Sequence, residues 1–146
     1  MEKHLFIFQP GIWIGYGIIT LNTSTSYLQY CTKWTIERTS EAEISAIQEI
    51  ELEGRKENAI NHFLFSNITP ETFFITLSSE PIGIVSGTGV IDSSTIAWEF
   101  RGELALEGLE IYERQNDGEY LMHAEFIASE EYRTMINGRI WKKEQI

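Results

Sequence analysis

The sequence is poor in cysteine, proline and basic residues, and each shortage excludes a class of function. Its 146 residues include one cysteine, three prolines, and 11 Lys plus Arg against 22 Asp plus Glu. The single cysteine, Cys31, excludes an intramolecular disulfide and predicts a reducing, cytoplasmic location. The net charge of -11 repels phosphate backbones, and the only basic cluster is Lys142-Lys143. We therefore expect no nucleic-acid partner.

A long uninterrupted hydrophobic run is also missing. The segment from Leu5 to Ile19 is apolar, but Pro10 and three glycines interrupt it. It is too short for a spanning helix and lacks the basic start of a signal peptide. We expect no membrane insertion and a single domain over residues 1–146.

Short β-rich segments recur about every ten residues between turn signals, which is typical of all-β proteins. The strongest hairpin signal is "NDG" at 116–118, because these residues tolerate the positive φ of tight turns. Up-and-down connection with closure removes exposed strand edges. We predict an all-β fold, a single antiparallel up-and-down β-barrel of about 8–10 lipocalin-like strands. The predicted strands are 12–20, 27–37, 43–52, 58–66, 72–78, 82–91, 94–101, 104–114, 119–128 and 131–142.

The segment 40–54, "SEAEISAIQEIELEG", is ambiguous between helix and strand. Ser40 and Glu43 form a capping-box pattern, which favours a helix. Strand alternation instead places Ile44 and Gln48 on an inner face and Ile47 outside. The isoleucine content and the preceding hairpin partner favour the strand.

Glycines alternate with apolar residues in two predicted strands. In "GIWIGYG" at 11–17 they share a face with Trp13, and in 82–91 Gly87 and Gly89 repeat the pattern. Both faces of the first strand are apolar or small, so its inner face stays undetermined. Two explanations remain open: the glycines leave room for a ligand, or they permit the bend that a small barrel needs.

The histidines give no firm catalytic site. His123 and Glu125 share a strand face, which fits either a general base with its orienting carboxylate or a surface charge pair. His62 and His123 are both open candidates for haem or metal ligation. A Gly-x-Ser-x-Gly elbow does not occur in the sequence, and no catalytic residue is assigned.

The last predicted strand contains Arg139 two residues before Trp141. If Arg139 faces inward, it could receive a ligand carboxylate beside polar neighbours such as Gln48 or Asn61. The outward orientation is favoured, because arginine is mostly exposed.

"GIW" at 11–13, about ten antiparallel strands, and a closing strand with an Arg and an aromatic residue resemble the calycin superfamily. That group includes lipocalins, fatty-acid-binding proteins and nitrobindin-like barrels. The resemblance implies that Trp13 closes the barrel base and that Arg139 covers it. Nitrobindin-like proteins hold haem through a His in the closing strand, and "TMINGRIWKK" has none. The resemblance therefore supports no haem site, and we predict no cofactor or metal.

The main functional hypothesis is non-catalytic binding of a small apolar or amphipathic ligand inside the barrel. A second is a packed barrel that acts as an interaction or assembly module, for which a homodimer is expected. The third, an enzyme of lyase or isomerase type, has the least support. The predicted ligand-binding residues are Trp13, Phe63, Phe65, Trp98, Phe100 and Arg139.

Overall fold

Ten antiparallel strands form one closed barrel in the computed structural model, which describes residues 4–80, 83–101, 107–129 and 132–144. Each strand pairs with its neighbours in sequence, and β1 pairs with β10 to close the sheet. The predicted all-β, up-and-down barrel is confirmed. The strands are β1 (Gly11–Leu21), β2 (Tyr27–Arg38), β3 (Ile44–Leu52), β4 (Ala59–Ser66), β5 (Thr72–Ser79), β6 (Gly83–Ile91), β7 (Thr95–Arg101), β8 (Glu107–Arg114), β9 (Tyr120–Ser129) and β10 (Tyr132–Lys142).

The predicted strand positions agree closely with the observed ones. Within segment 40–54, the strand β3 forms over Ile44–Leu52, with Gln48 buried inside and Ile47 exposed outside, as the alternation indicates. The hairpin at "NDG" joins β8 to β9, and Gly118 takes the positive φ of 86° that such a turn requires. The predicted strand ends at residues 82, 104–106 and 131 lie outside the described residues.

The structure shows which face of β1 points into the barrel. Trp13 is buried inside the barrel, whereas Tyr16 and Ile18 are exposed on its outer face. A Cβ at Gly15 would lie 2.6 Å from the carbonyl oxygen of Arg139 in β10. This glycine therefore permits the close approach of β1 and β10, which favours the bend over ligand space as its reason.

The glycine of β6 at position 89 has a different neighbour. The ring of Phe73 lies where a Cβ at Gly89 would have to be. Side-chain packing from β5 thus fills the space that this glycine leaves. Neither position adds volume to a ligand cavity.

Residues before β1 close one end of the barrel, and we call residues 4–10 the plug. Phe6 and Ile7 are fully buried, and Ile7 has a φ of 58°, which is strained for a β-branched residue. His4 accepts a hydrogen bond at Nδ1 from the Tyr120 hydroxyl (2.7 Å) and donates from Nε2 to the Asp92 carbonyl (2.6 Å). The carbonyl can only accept, so His4 is held as the neutral Nε2–H tautomer. Burial lowers the pKa of His4 accordingly.

The plug packs on an aromatic core. The Phe6 ring lies 5.3 Å from Trp13, 5.4 Å from Trp34 and 4.8 Å from Tyr112 between centroids. Edge-on and tilted aromatic pairs of this kind are favourable beyond the area that they bury. Trp13 therefore lies at the closed end, as predicted, but its cover is Phe6 and not an arginine.

No helix among the described residues is long and apolar enough to cross a membrane.

Candidate functional site

The barrel interior holds a cavity of about 310 Å³ on the side of the aromatic core that faces away from the plug. Trp34 and Tyr112 form its floor, because both line the cavity and both contact Phe6. Ile19 and Thr134, near the opposite end, are only half-buried, so the cavity opens towards solvent there. The apolar wall consists of Ile19, Ile50, Phe63, Leu77, Met122, Phe126, Ile136 and Ile140.

A buried carboxylate lies in this cavity. Glu110 of β8 is 4% exposed, and its two oxygens accept hydrogen bonds from Trp98 Nε1 (2.9 Å) and from the Tyr112 hydroxyl (2.8 Å). Burial raises the pKa of Glu110 to about 7, against the opposing effect of these two hydrogen bonds. Burial, with the nearby Glu110 charge, also raises the pKa of Tyr30 to about 12. Both tyrosines of the cavity are therefore hydroxyl donors at neutral pH.

Two buried polar groups of the cavity wall have no hydrogen-bond partner in the described structure. They are Trp34 Nε1 and Thr32 Oγ1, in residues that are 0% and 4% exposed. An unsatisfied buried polar group costs about 1–3 kcal/mol, so each needs an explanation. Both belong to residues that line the cavity.

An amide pair completes the polar part of the wall. Asn61 donates from Nδ2 to Gln48 Oε1 at 3.0 Å. Both side chains line the cavity, as expected for inward positions of β3 and β4. The cavity therefore combines an apolar wall with several fixed polar groups, which is the usual composition of a small-molecule site.

The five aromatic residues predicted to bind a ligand all lie inside the barrel and are almost fully buried. Phe63 lines the cavity. Trp98 does not line the cavity itself, but its indole N–H donates a hydrogen bond to Glu110, which does. Trp13 and Phe65 belong to the packed aromatic core. Phe100 is buried opposite Gly87 and Gly108 on the adjacent strands.

Arg139 lies on the outer face of β10, the orientation that the sequence favours, so it is not in the cavity and does not anchor a ligand acid there. Its Nη1 contacts Glu119 Oε1 at 2.8 Å and Asp117 Oδ2 at 3.7 Å. The hydrogen bond to Glu119 raises the pKa of Arg139. Strand pairing explains the orientation, because Ile140 takes the inward position and Arg139 must face out.

Neither candidate histidine points into the barrel interior. His62 is exposed on the outer face of β4. His123 is on the outer face of β9, where Nδ1 lies 2.7 Å from Asn137 Oδ1 and Nε2 lies 3.8 Å from Glu125. The described part of the chain has no group of three or more His, Cys, Asp or Glu side chains that could hold a metal ion.

Sequence reasoning missed Glu110, Trp34 and Tyr112. In β8, Leu109 and Ile111 are apolar and would be expected inside, which points Glu110 outward. The structure has the reverse orientation, with Glu110 and Tyr112 buried. An acid and a tyrosine two residues apart, beside Gly108, were the only local signal.

Solved structures share this fold. The S-type phycobiliprotein lyase CPES from Guillardia theta matches with a TM-score of 0.73 at 7% identity, over 94% of this chain and 90% of that chain. Rv2717c from M. tuberculosis matches with a TM-score of 0.69 at 13% identity, over 92% of each chain. These likenesses show that the chain has a calycin-like barrel fold. No family model and no curated protein matches the sequence.

Proposed function

We propose that the protein binds a small amphipathic molecule inside its barrel. The observation that carries this proposal is the cavity of about 310 Å³, which leaves Trp34 Nε1 and Thr32 Oγ1 unpartnered. At roughly 30 Å³ per water, the space equals about ten waters, so it has room for a ligand portion of about ten non-hydrogen atoms. Burial of its apolar part contributes about 25 cal/mol per Å² before entropic costs.

The fold gives this proposal general support. CPES, a similar barrel, is by its name a phycobiliprotein lyase. One fold hosts many functions, so the proposal depends on the cavity and not on this likeness. The described lining residues include no His, Lys or Cys beside Glu110, and this composition supports binding over nucleophilic catalysis. We also propose a cytoplasmic location, on the evidence of the single cysteine.

Native mass spectrometry and ligand-observed NMR test the proposal. We expect a co-purifying molecule, or binding of the neutral probes indole and benzamide. Ile136→Trp places a large ring in the cavity and should abolish binding. Ile18→Trp adds the same ring on the outer face of β1 and should leave binding unchanged. The proposal would be refuted if no molecule co-purifies with the protein and it binds neither indole nor benzamide.

A second candidate function is self-association through the outer face of β4, β5 and β6, which we call the neutral face. Its outward positions carry no Asp, Glu, Lys or Arg, in a chain of net charge -11. Phe74, Ile84 and Val90 on this face are 52%, 75% and 58% exposed. Two copies of this acidic chain repel each other. The repulsion is weakest when they meet through a face without charged side chains.

Sedimentation equilibrium tests the neutral face. We expect a dimer that Phe74→Ser converts to a monomer. Tyr16→Ser removes an equally exposed aromatic residue from the far side of the barrel and should leave the dimer intact. A monomeric wild-type chain would exclude this candidate and leave ligand binding unaffected.

A further inference from the structure

The charge inside the cavity determines which ligands it can accept. Among its described lining residues, Glu110 is the only Asp, Glu, Lys, Arg or His. The sequence left open that Arg139 faces inward and receives a ligand carboxylate, but Arg139 lies on the outer face of β10. The field at the polar part of the cavity is therefore that of a single carboxylate.

Glu110 can accept further hydrogen bonds besides the two that it has. A carboxylate has about four lone-pair sites, and Trp98 and Tyr112 occupy one on each oxygen. Both donors are neutral, so an ionised Glu110 has no opposite charge among the cavity residues. A buried charge without a partner is strongly unfavourable, and a cation that reaches it gains a strong charge-assisted bond.

The unpartnered groups set a second requirement. An indole N–H only donates, so Trp34 Nε1 requires an acceptor on the ligand. The Thr32 hydroxyl can donate to the same acceptor or accept from the ligand. The flat rings of Trp34 and Tyr112 at the floor favour a planar apolar part.

We propose that the ligand is a compact nitrogen base, such as an aromatic amine or amidine, whose N–H groups bind Glu110, and that the cavity rejects carboxylate ligands. This inference rests on the proposed ligand-binding function and specifies its substrate class. Trp34 Nε1 binds an acceptor elsewhere on the same molecule.

Three probes of nearly equal size and shape test the sign of the charge: cationic benzamidine, neutral benzamide and anionic benzoate. Affinities are measured by ligand-observed NMR at about pH 8.5, above the Glu110 pKa of about 7. We expect benzamidine to bind about tenfold or more tighter than benzamide, and benzoate not to bind measurably.

Two variants identify the residue responsible. Glu110→Gln keeps the shape and removes the charge, so benzamidine should fall to the affinity of benzamide. Glu99→Gln removes a carboxylate from the outer face of β7 and should preserve the preference. The Trp34 indole N–H signal should shift on addition of benzamide, because its carbonyl supplies an acceptor. The Trp141 signal, on the outer face, should not shift.

The outcomes separate this inference from the proposed function. If benzamide binds but benzoate binds as tightly as benzamidine, the charge assignment is overturned and the binding function stands. If the benzamidine preference survives in Glu110→Gln, Glu110 is not the anchor and the inference is equally overturned. If none of the three probes binds but indole does, the inference is overturned and the binding function stands. If indole also fails to bind and no molecule co-purifies, both the inference and the proposed function are refuted.

Discussion

Replacing Glu110 with glutamine should remove the loss of stability that ionisation of this buried carboxyl causes as pH rises. Glu110 is buried between Trp98 and Tyr112, and burial raises its pKa to about 7 from its ordinary value of 4.5. Between these values the folded protein holds a proton that the unfolded chain has released. Stability therefore falls as pH rises through this window, and the loss is complete above the folded pKa.

The magnitude follows from the two pKa values. Each unit of difference is about 1.36 kcal/mol, so the full penalty is about 3 kcal/mol. By pH 5 the Glu110 carboxyl of the unfolded chain is already mostly ionised, which leaves about 2–3 kcal/mol to be lost between pH 5 and pH 8. The lowered pKa of His4 acts in the opposite sense, with stability lost as pH falls. Comparing wild type with the variant cancels this contribution.

Urea unfolding followed by tryptophan fluorescence at pH 5 and pH 8 measures the effect. The decline in unfolding free energy should be about 2–3 kcal/mol smaller in Glu110→Gln than in wild type, with an unchanged m-value. Glu99→Gln, on the outer face, should retain the wild-type decline. An equal decline in wild type and Glu110→Gln would refute the assignment of a raised Glu110 pKa.

Three further changes separate the plug, the cavity and the outer surface. Phe6→Ala should lower the free energy of unfolding, measured in urea, by about 3–5 kcal/mol, because Phe6 is fully buried. A loss below about 1 kcal/mol would show that the plug is not part of the fold. Thr32→Val replaces an unpartnered hydroxyl by a methyl group and should stabilise the ligand-free protein by about 1 kcal/mol in thermal unfolding. Thr32→Ser, which keeps the hydroxyl, is the control, and destabilisation by Thr32→Val would mean that the hydroxyl has a partner. Arg139→Gln breaks an exposed ion pair with Glu119, so it should change the unfolding free energy little and leave benzamide affinity unchanged in titration. A loss of affinity would return Arg139 to the binding site.

The strands themselves were predictable from local chemistry. Two-residue alternation and turn signals act over a few residues, so they mark each strand wherever it lies in the fold. Segment 40–54 shows this clearly, since its alternation correctly placed Gln48 inside and Ile47 outside. The position of Trp13 at the closed end was implied only by the resemblance of "GIW" to the calycin motif.

Orientation was predictable only where one face was plainly apolar. In β7 the face with Ile96, Trp98 and Phe100 is buried, as the alternation favours. In β8 both faces contain apolar residues, and the outcome puts Glu110 inside. Local pattern cannot decide such a strand, because its inward face depends on its register with both neighbours.

The sequence by itself therefore determined an all-β chain of about ten strands and an acidic character. Tertiary structure decided where the charges and the free space lie. Closure of β1 on β10 turned Arg139 outward, and the packing of Phe6 into one end left the cavity at the other. These outcomes depend on contacts between residues that are distant in sequence, such as His4 with Tyr120, which no local pattern contains.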